Sequence, residues 1–130
     1  MTAFSDNLSD RFMMLVINII KLEKQLCSTY SGRHIFGQLF RSGTSSGANF
    51  EEARAGESRA DFIHKMQIVL KELREAHYWI RLSIEANYFS PDYEVLKLLF
   101  TESKELANIT AKSVLTAKSR ISKKQSTPQA

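Results

Sequence analysis

Three histidines, one cysteine and fourteen carboxylates are the side chains through which this chain could do acid–base, nucleophilic or metal chemistry. A di-iron site in a helical bundle takes carboxylates from two helices and Glu-x-x-His from two more, all facing inward. Asp61-x-x-His64 is the sole acid-x-x-His pair, and His34, His64 and His77 form no His-x-x-x-His pair. Cys27 closes an apolar segment, where a buried, inert thiol is the commoner outcome. Ser42, Ser45 and Ser46 sit in a run of small residues with no Gly-x-Ser-x-Gly frame. Gly43 and Gly47 match neither a P-loop nor a dinucleotide fingerprint. The adjacent Glu51 and Glu52 point to different sides of a helix and make no acid/base couple. No catalytic residue, metal or cofactor is expected, and the chain reads as non-enzymatic.

The remaining chemistry is electrostatic. The net charge is +4, but all 14 acidic residues lie at or before Glu105. Lys112, Lys118, Arg120, Lys123 and Lys124 follow with no acid among them, so residues 1–111 hold 13 basic groups against 14 acidic. Such an end favours polyanions, because it raises the local potential without reading sequence. The alternative is a solubilising, frayed helix end whose lysines complement the helix dipole. A second polar group, Arg41, Asn49, Glu52, Arg54 and Arg59, falls where the second helix passes into the third. In an antiparallel hairpin these residues are expected to gather at one end. There Asn49 and Glu52 cap backbone groups or pair with Arg54 or Arg59, or else the arginines face phosphate. Lys65, Lys71, Arg74 and Arg81 are balanced by Glu72, Glu75 and Glu85 and read as a solvated face.

Four amphipathic helices must position these groups. Leu8, Phe12, Leu15, Ile19, Leu22 and Leu26 recur at steps of four and three, predicting one helix capped by Ser5 or Ser9 and ending near 27–30. In the second segment, 33–55, Ile35, Leu39, Ser46, Phe50 and Ala53 keep the stripe across the small-residue run 42–48. Propensity alone makes that run a loop, since each glycine costs about 1 kcal/mol against alanine. The unbroken phase instead predicts one helix with a tight packing face, ending at Gly56. The third helix starts at a capping-box-like Ser58/Asp61 and carries the stripe Phe62, Met66, Val69, Leu73, Ala76 and Ile80. On its other side Ile68, Trp79, Leu82 and Ala86 form a second stripe, expected to be an oligomer interface or the broad edge of the monomer core. Ser90-Pro91 is expected to open the fourth helix. Residues 1–121 are thus expected to form an all-α, antiparallel up-down four-helix bundle, and 122–130 a disordered basic and polar tail.

The run from Gln38 through Arg41-Ser42-Gly43-Thr44-Ser45-Ser46-Gly47-Ala48-Asn49 to Ala53, with Ser58-Arg59-Ala60-Asp61-Phe62-Ile63-His64-Lys65-Met66, resembles the four-helix-bundle proteins encoded in 23S rRNA intervening sequences. Leu70-Lys71-Glu72, Tyr78-Trp79 and Glu85-Ala86 match as well, so the resemblance covers residues 8–118 or so. It singles out Arg41, Ser45, Asn49 and Glu52 as the family motif. The accessory variability proteins of diversity-generating retroelements share this fold. The resemblance to them implies a homopentamer that binds RNA or DNA through basic surfaces and has a reverse transcriptase as partner. The near-neutral body of this chain departs from that subgroup.

Composition sets the outer bounds. At 130 residues, 43% hydrophobic and 25% charged, the chain suits one globular domain. A lone cysteine argues against a disulfide scaffold and for a reducing cytoplasm. The apolar run Phe12–Ile20 is broken by Asn18 and is too short for a bilayer, which takes about 20 residues, so no membrane association is expected. The expected function is a non-enzymatic, oligomeric, RNA- or ribonucleoprotein-associated adaptor, with a protein-binding scaffold as the alternative. The residues expected to meet nucleic acid are Arg41, Arg54, Arg59 and the five C-terminal basic residues.

Overall fold

The computed structural model describes residues 2–126, with side chains to Lys123. Helix α1 spans Ala3–Ile20 and buries Leu8, Phe12, Leu15 and Ile19, the stripe expected from the spacing. Its cap is Thr2, one turn before the expected serines, whose Oγ1 accepts from Ser5 N at 3.1 Å. The helix does not run unbroken to residue 27. At Leu22 the backbone N–H turns to Ile19 O (2.9 Å), an i→i−3 bond, and a single turn, α2 (Glu23–Leu26), follows. Leu22 and Leu26 are nonetheless fully buried, so the stripe continues through the break.

Helix α3 (Tyr30–Arg54) starts at Thr29, whose Oγ1 accepts from Gly32 N at 3.0 Å. A Cβ on Gly32 would lie 1.8 Å from Leu26 O, so only glycine permits this close return of the chain. The small-residue run is helical throughout, as the phase of its flanks requires. Ser42, Gly43 and Ser46 are buried. The two hydroxyls satisfy themselves on the preceding turn, Ser42 Oγ donating to Gln38 O (2.9 Å) and Ser46 Oγ to Gly43 O (2.7 Å). Polar side chains thus enter the core with no unmet hydrogen bond, and no buried side-chain N or O among the described residues lacks a partner.

Helix α4 (Arg59–Glu85) opens on Ser58, which accepts from Asp61 N at 3.1 Å as the sequence implied. It stops at Asn87, whose φ of 59° is left-handed, while Tyr88 N bonds back to Ser83 O at 3.2 Å. Helix α5 (Glu94–Ser126) starts later than Ser90-Pro91 suggested. Residues 90–93 close instead into a turn, Tyr93 N to Ser90 O at 3.0 Å, which lets Phe89 bury and stack on Tyr93. At its far end α5 continues to Ser126, into the stretch expected to be disordered, while 127–130 lie outside the described residues.

The four long helices form an antiparallel up-down bundle in which α1 packs on α3, α3 on α4, α4 on α5 and α5 on α1. Cross-helix pairs fix the register: Phe12 stacks on Phe50 (4.7 Å between centroids), Lys65 meets Glu52, and His77 meets Ser103. No strand occurs among the described residues, and none of their helices is long and apolar enough to cross a membrane.

Candidate functional site

Two of the three arginines expected to face phosphate are occupied by the fold. Arg41 reaches from α3 to α4, where Nη1 meets Glu72 Oε2 at 3.0 Å and Nη2 bonds Glu75. The hydrogen bond to Glu75 leads in raising its pKa above the ordinary arginine value, with Glu72 adding to it. Glu75 also accepts from Trp79 Nε1 at 3.2 Å, and the Trp79 ring meets His34 edge-on at 5.7 Å. Arg54 ties α3 to α1 through Asp6 (2.5 Å) and pairs with Glu51 on its own helix, with only 8% of its side chain exposed.

The motif therefore does not converge on one site. Arg41 lies mid-bundle at the α3–α4 seam, Glu52 meets Lys65 (3.0 Å) nearer the end, and Asn49 Nδ2 donates within α3 to Ser45 O at 2.9 Å. A 25-residue helix is about 38 Å long, and the 13 residues from Arg41 to Arg54 span half of it. Of the three arginines expected to face phosphate, Arg41 and Arg54 have carboxylate partners and Arg59 is exposed at the first residue of α4.

The C-terminal basic residues present a different picture. Lys112, Lys118, Arg120 and Lys123 are exposed along the last turns of α5; the Lys124 side chain lies outside the described residues. Helix α5 has 33 residues against 27 in α4. In the register that sets His77 against Ser103, Arg59 falls roughly opposite Ile121, so the last turn of α5 passes beyond the start of α4. Arg59 thus lies at the same end of the bundle as the acid-free run.

The second stripe of α4 is largely claimed by the monomer. Trp79 and Leu82 are half-buried and pack against the core, Ile68 is half-buried, and Ala86 is exposed at the helix cap. The unpartnered apolar face lies instead on α1. Met13, Met14, Ile17 and Ile20 are between 39% and 63% exposed, opposite the buried stripe, and Leu98 of α5 stands beside Met14 in the adjoining groove. The signal was in the sequence: Phe12–Ile20 is apolar nearly all round, and such a helix has more than one face to cover.

Ser103 and His77 form a pair that spacing could not show. Ser103 Oγ lies 2.8 Å from His77 Nδ1 and 3.2 Å from Phe100 O, within hydrogen-bond reach of both. Both partners of the hydroxyl lie within the bundle, and at 0% exposure it has no opening to a substrate. Burial, with Lys104 and Arg81 nearby, lowers the His77 pKa. Asp61 and His64 are both exposed, and no three metal-ligating side chains come together among the described residues.

The 23S rRNA-intervening sequence protein model matches residues 7–112. The chain belongs to that family. A crystal structure of a protein with unknown function from the S23 ribosomal protein family of Bacteroides thetaiotaomicron superposes with a TM-score of 0.72 at 34% identity, covering 82% of this chain and 96% of that one. No curated protein matches. In this family member the match stops at Lys112, the first basic residue after the last acid, Glu105. Lys118, Arg120 and Lys123 lie past the matched region.

Proposed function

We propose that this family member is a non-enzymatic cytoplasmic adaptor that binds RNA through the C-terminal end of α5. The observation that carries the reading is the contrast between two sets of cations. Arg41 and Arg54 are paired with carboxylates of the bundle, whereas Lys112, Lys118 and Arg120 project from a helix surface with no acid after Glu105. Phosphate contacts of this kind give sequence-tolerant binding whose log K falls by about 0.7 per contact per decade of salt on single strands. The matching experiment is a titration of the full chain with a labelled RNA from about 50 to 200 mM salt. The triple variant Lys118→Gln, Arg120→Gln, Lys123→Gln should weaken binding and flatten the slope by two to three contacts. Arg41→Gln should leave both unchanged. A triple variant that binds like the wild type refutes the assignment.

The outer face of α1 supports a second activity for the same adaptor, self-association. Four large apolar side chains in two successive turns are a common mark of a protein interface. Burying one such side chain stabilises an assembly by roughly 1.5–3 kcal/mol. Subunit number does not follow from the face; the family resemblance suggests five.

A further inference from the structure

Six of the eight phenylalanines pack against another aromatic ring: Phe12 with Phe50, Phe36 with Phe40, Phe89 with Tyr93, and Phe100 with His77. The other two, Phe4 and Phe62, have no ring partner among the described residues, and both line one groove. That groove, about 680 Å³, lies where the start of α1, the start of α4 and the last turns of α5 meet. Leu8 and Ile109 contribute to its apolar lining. Lys112 and Arg120 stand on its rim, and no carboxylate lines it. Neither cation is held in an ion pair among the described residues. Phe4 is 66% exposed, although it sits in a regular helical turn one residue past the start of α1.

We propose that this groove seats an unpaired base of a single-stranded nucleic acid, stacked on Phe4 and Phe62, with its flanking phosphates on Lys112 and Arg120. The inference rests on the polyanion reading above and adds to it a place for the base. Single-strand sites combine a basic track along the backbone with aromatic faces for the bases, and stacking tolerates any sequence because every base has a π face. Here the track is the acid-free end of α5, and the two unpartnered rings lie beside it. A base locked in a duplex has no free face to offer, so the groove discriminates between strands where the lysines do not. The cation pair complements a polyanion, and the two planar rings favour a flat heterocycle over the aliphatic side chains of an acidic helix.

The test uses the full chain, a fluorescein-labelled dodecauridylate, and an RNA duplex of twelve base pairs, read by anisotropy at fixed salt. Phe4→Ala should lower affinity for the single strand by about 5- to 150-fold, the loss expected for one stacked base. Affinity for the duplex and the salt slope should not change, and Phe4→Tyr should restore single-strand binding. Phe4 is exposed, so the variant keeps the fold; an unchanged melting curve verifies this. If both probes bind and Phe4→Ala affects neither, the tail contact stands and the groove is refuted. If neither probe binds, both readings fall. If a dodecaglutamate peptide binds as tightly as the oligonucleotide and loses as much with Phe4→Ala, the groove takes acidic peptides and the proposal fails.

Discussion

Helix α3 passes close to α1 at Gly43. A Cβ placed there would lie 2.5 Å from Ile19 Cδ1, and Ile19 is completely buried. Alanine at this position gains about 1 kcal/mol of helix propensity and pushes only the tip of a flexible side chain, at about 0.5–1.5 kcal/mol for an off-rotamer isoleucine. Gly43→Ala should therefore be neutral to within about 1 kcal/mol. Leucine adds three further carbons to a filled space, an overpacking of about 1–3 kcal/mol against much the same propensity gain. Gly43→Leu should lower stability by up to about 2 kcal/mol, a fall of up to roughly 8 °C in Tm for a chain of this length. The decisive measurement is the same substitution in an Ile19→Ala background, where the displaced side chain is gone and a cavity awaits filling. There Gly43→Leu should become neutral or stabilising, a reversal of sign in the double-mutant cycle. Gly47→Leu is the control: its Cβ would meet Phe12 Cβ at an ordinary 3.6 Å, and the position is half-exposed. If urea or thermal melts show Gly47→Leu worse than Gly43→Leu, or an unchanged penalty without Ile19, the packing account is wrong.

Gly32→Ala should be far more damaging than Gly43→Ala, because the obstacle at 1.8 Å is the Leu26 carbonyl and backbone cannot step aside as a side chain does; a loss of several °C in Tm checks this. His77 should make stability pH-dependent: its folded pKa lies below the ordinary value of about 6.5, so the unfolded state binds more protons and stability falls as pH drops from about 6.5 through the folded value. Denaturant melts at pH 7.5 and 5.5 should show that loss, and His77→Phe should remove much of it. Replacing Met13 and Ile17 together with lysine should give a folded helical monomer by light scattering if α1 carries the self-association proposed for it, whereas oligomers that persist would place the contact elsewhere. Removing Glu72 should destabilise less than removing Arg41, since Arg41→Ala leaves the Glu72 carboxylate buried and uncompensated; melts of the two single variants compare them directly.

Periodicity alone determined the class and most of the core. The steps of four and three that place Leu8, Phe12, Leu15 and Ile19 on one stripe are a property of the helix itself, so every one of them is buried. The same reasoning carried the helix through 42–48 against its weak propensity, because Leu39 and Phe50 on either side stay in phase and both are buried. The Ser58 cap was equally legible, being a contact between residues three apart. Tertiary structure decided whatever depends on distance across the bundle. Sequence placed Arg41 among cations free to meet phosphate, and only the packing of α4 against α3 brought Glu72 and Glu75 to it. It likewise gave no measure of which apolar surplus would be covered: Trp79 found His34 and the core, while Met13 and Ile17 found nothing. Phe4 and Phe62, 58 residues apart, became one groove because α1 and α4 begin at the same end of an up-down bundle. Helical phase is a local quantity that the chain carries with it, whereas a partner across a seam is set by register and helix length, which no single segment contains.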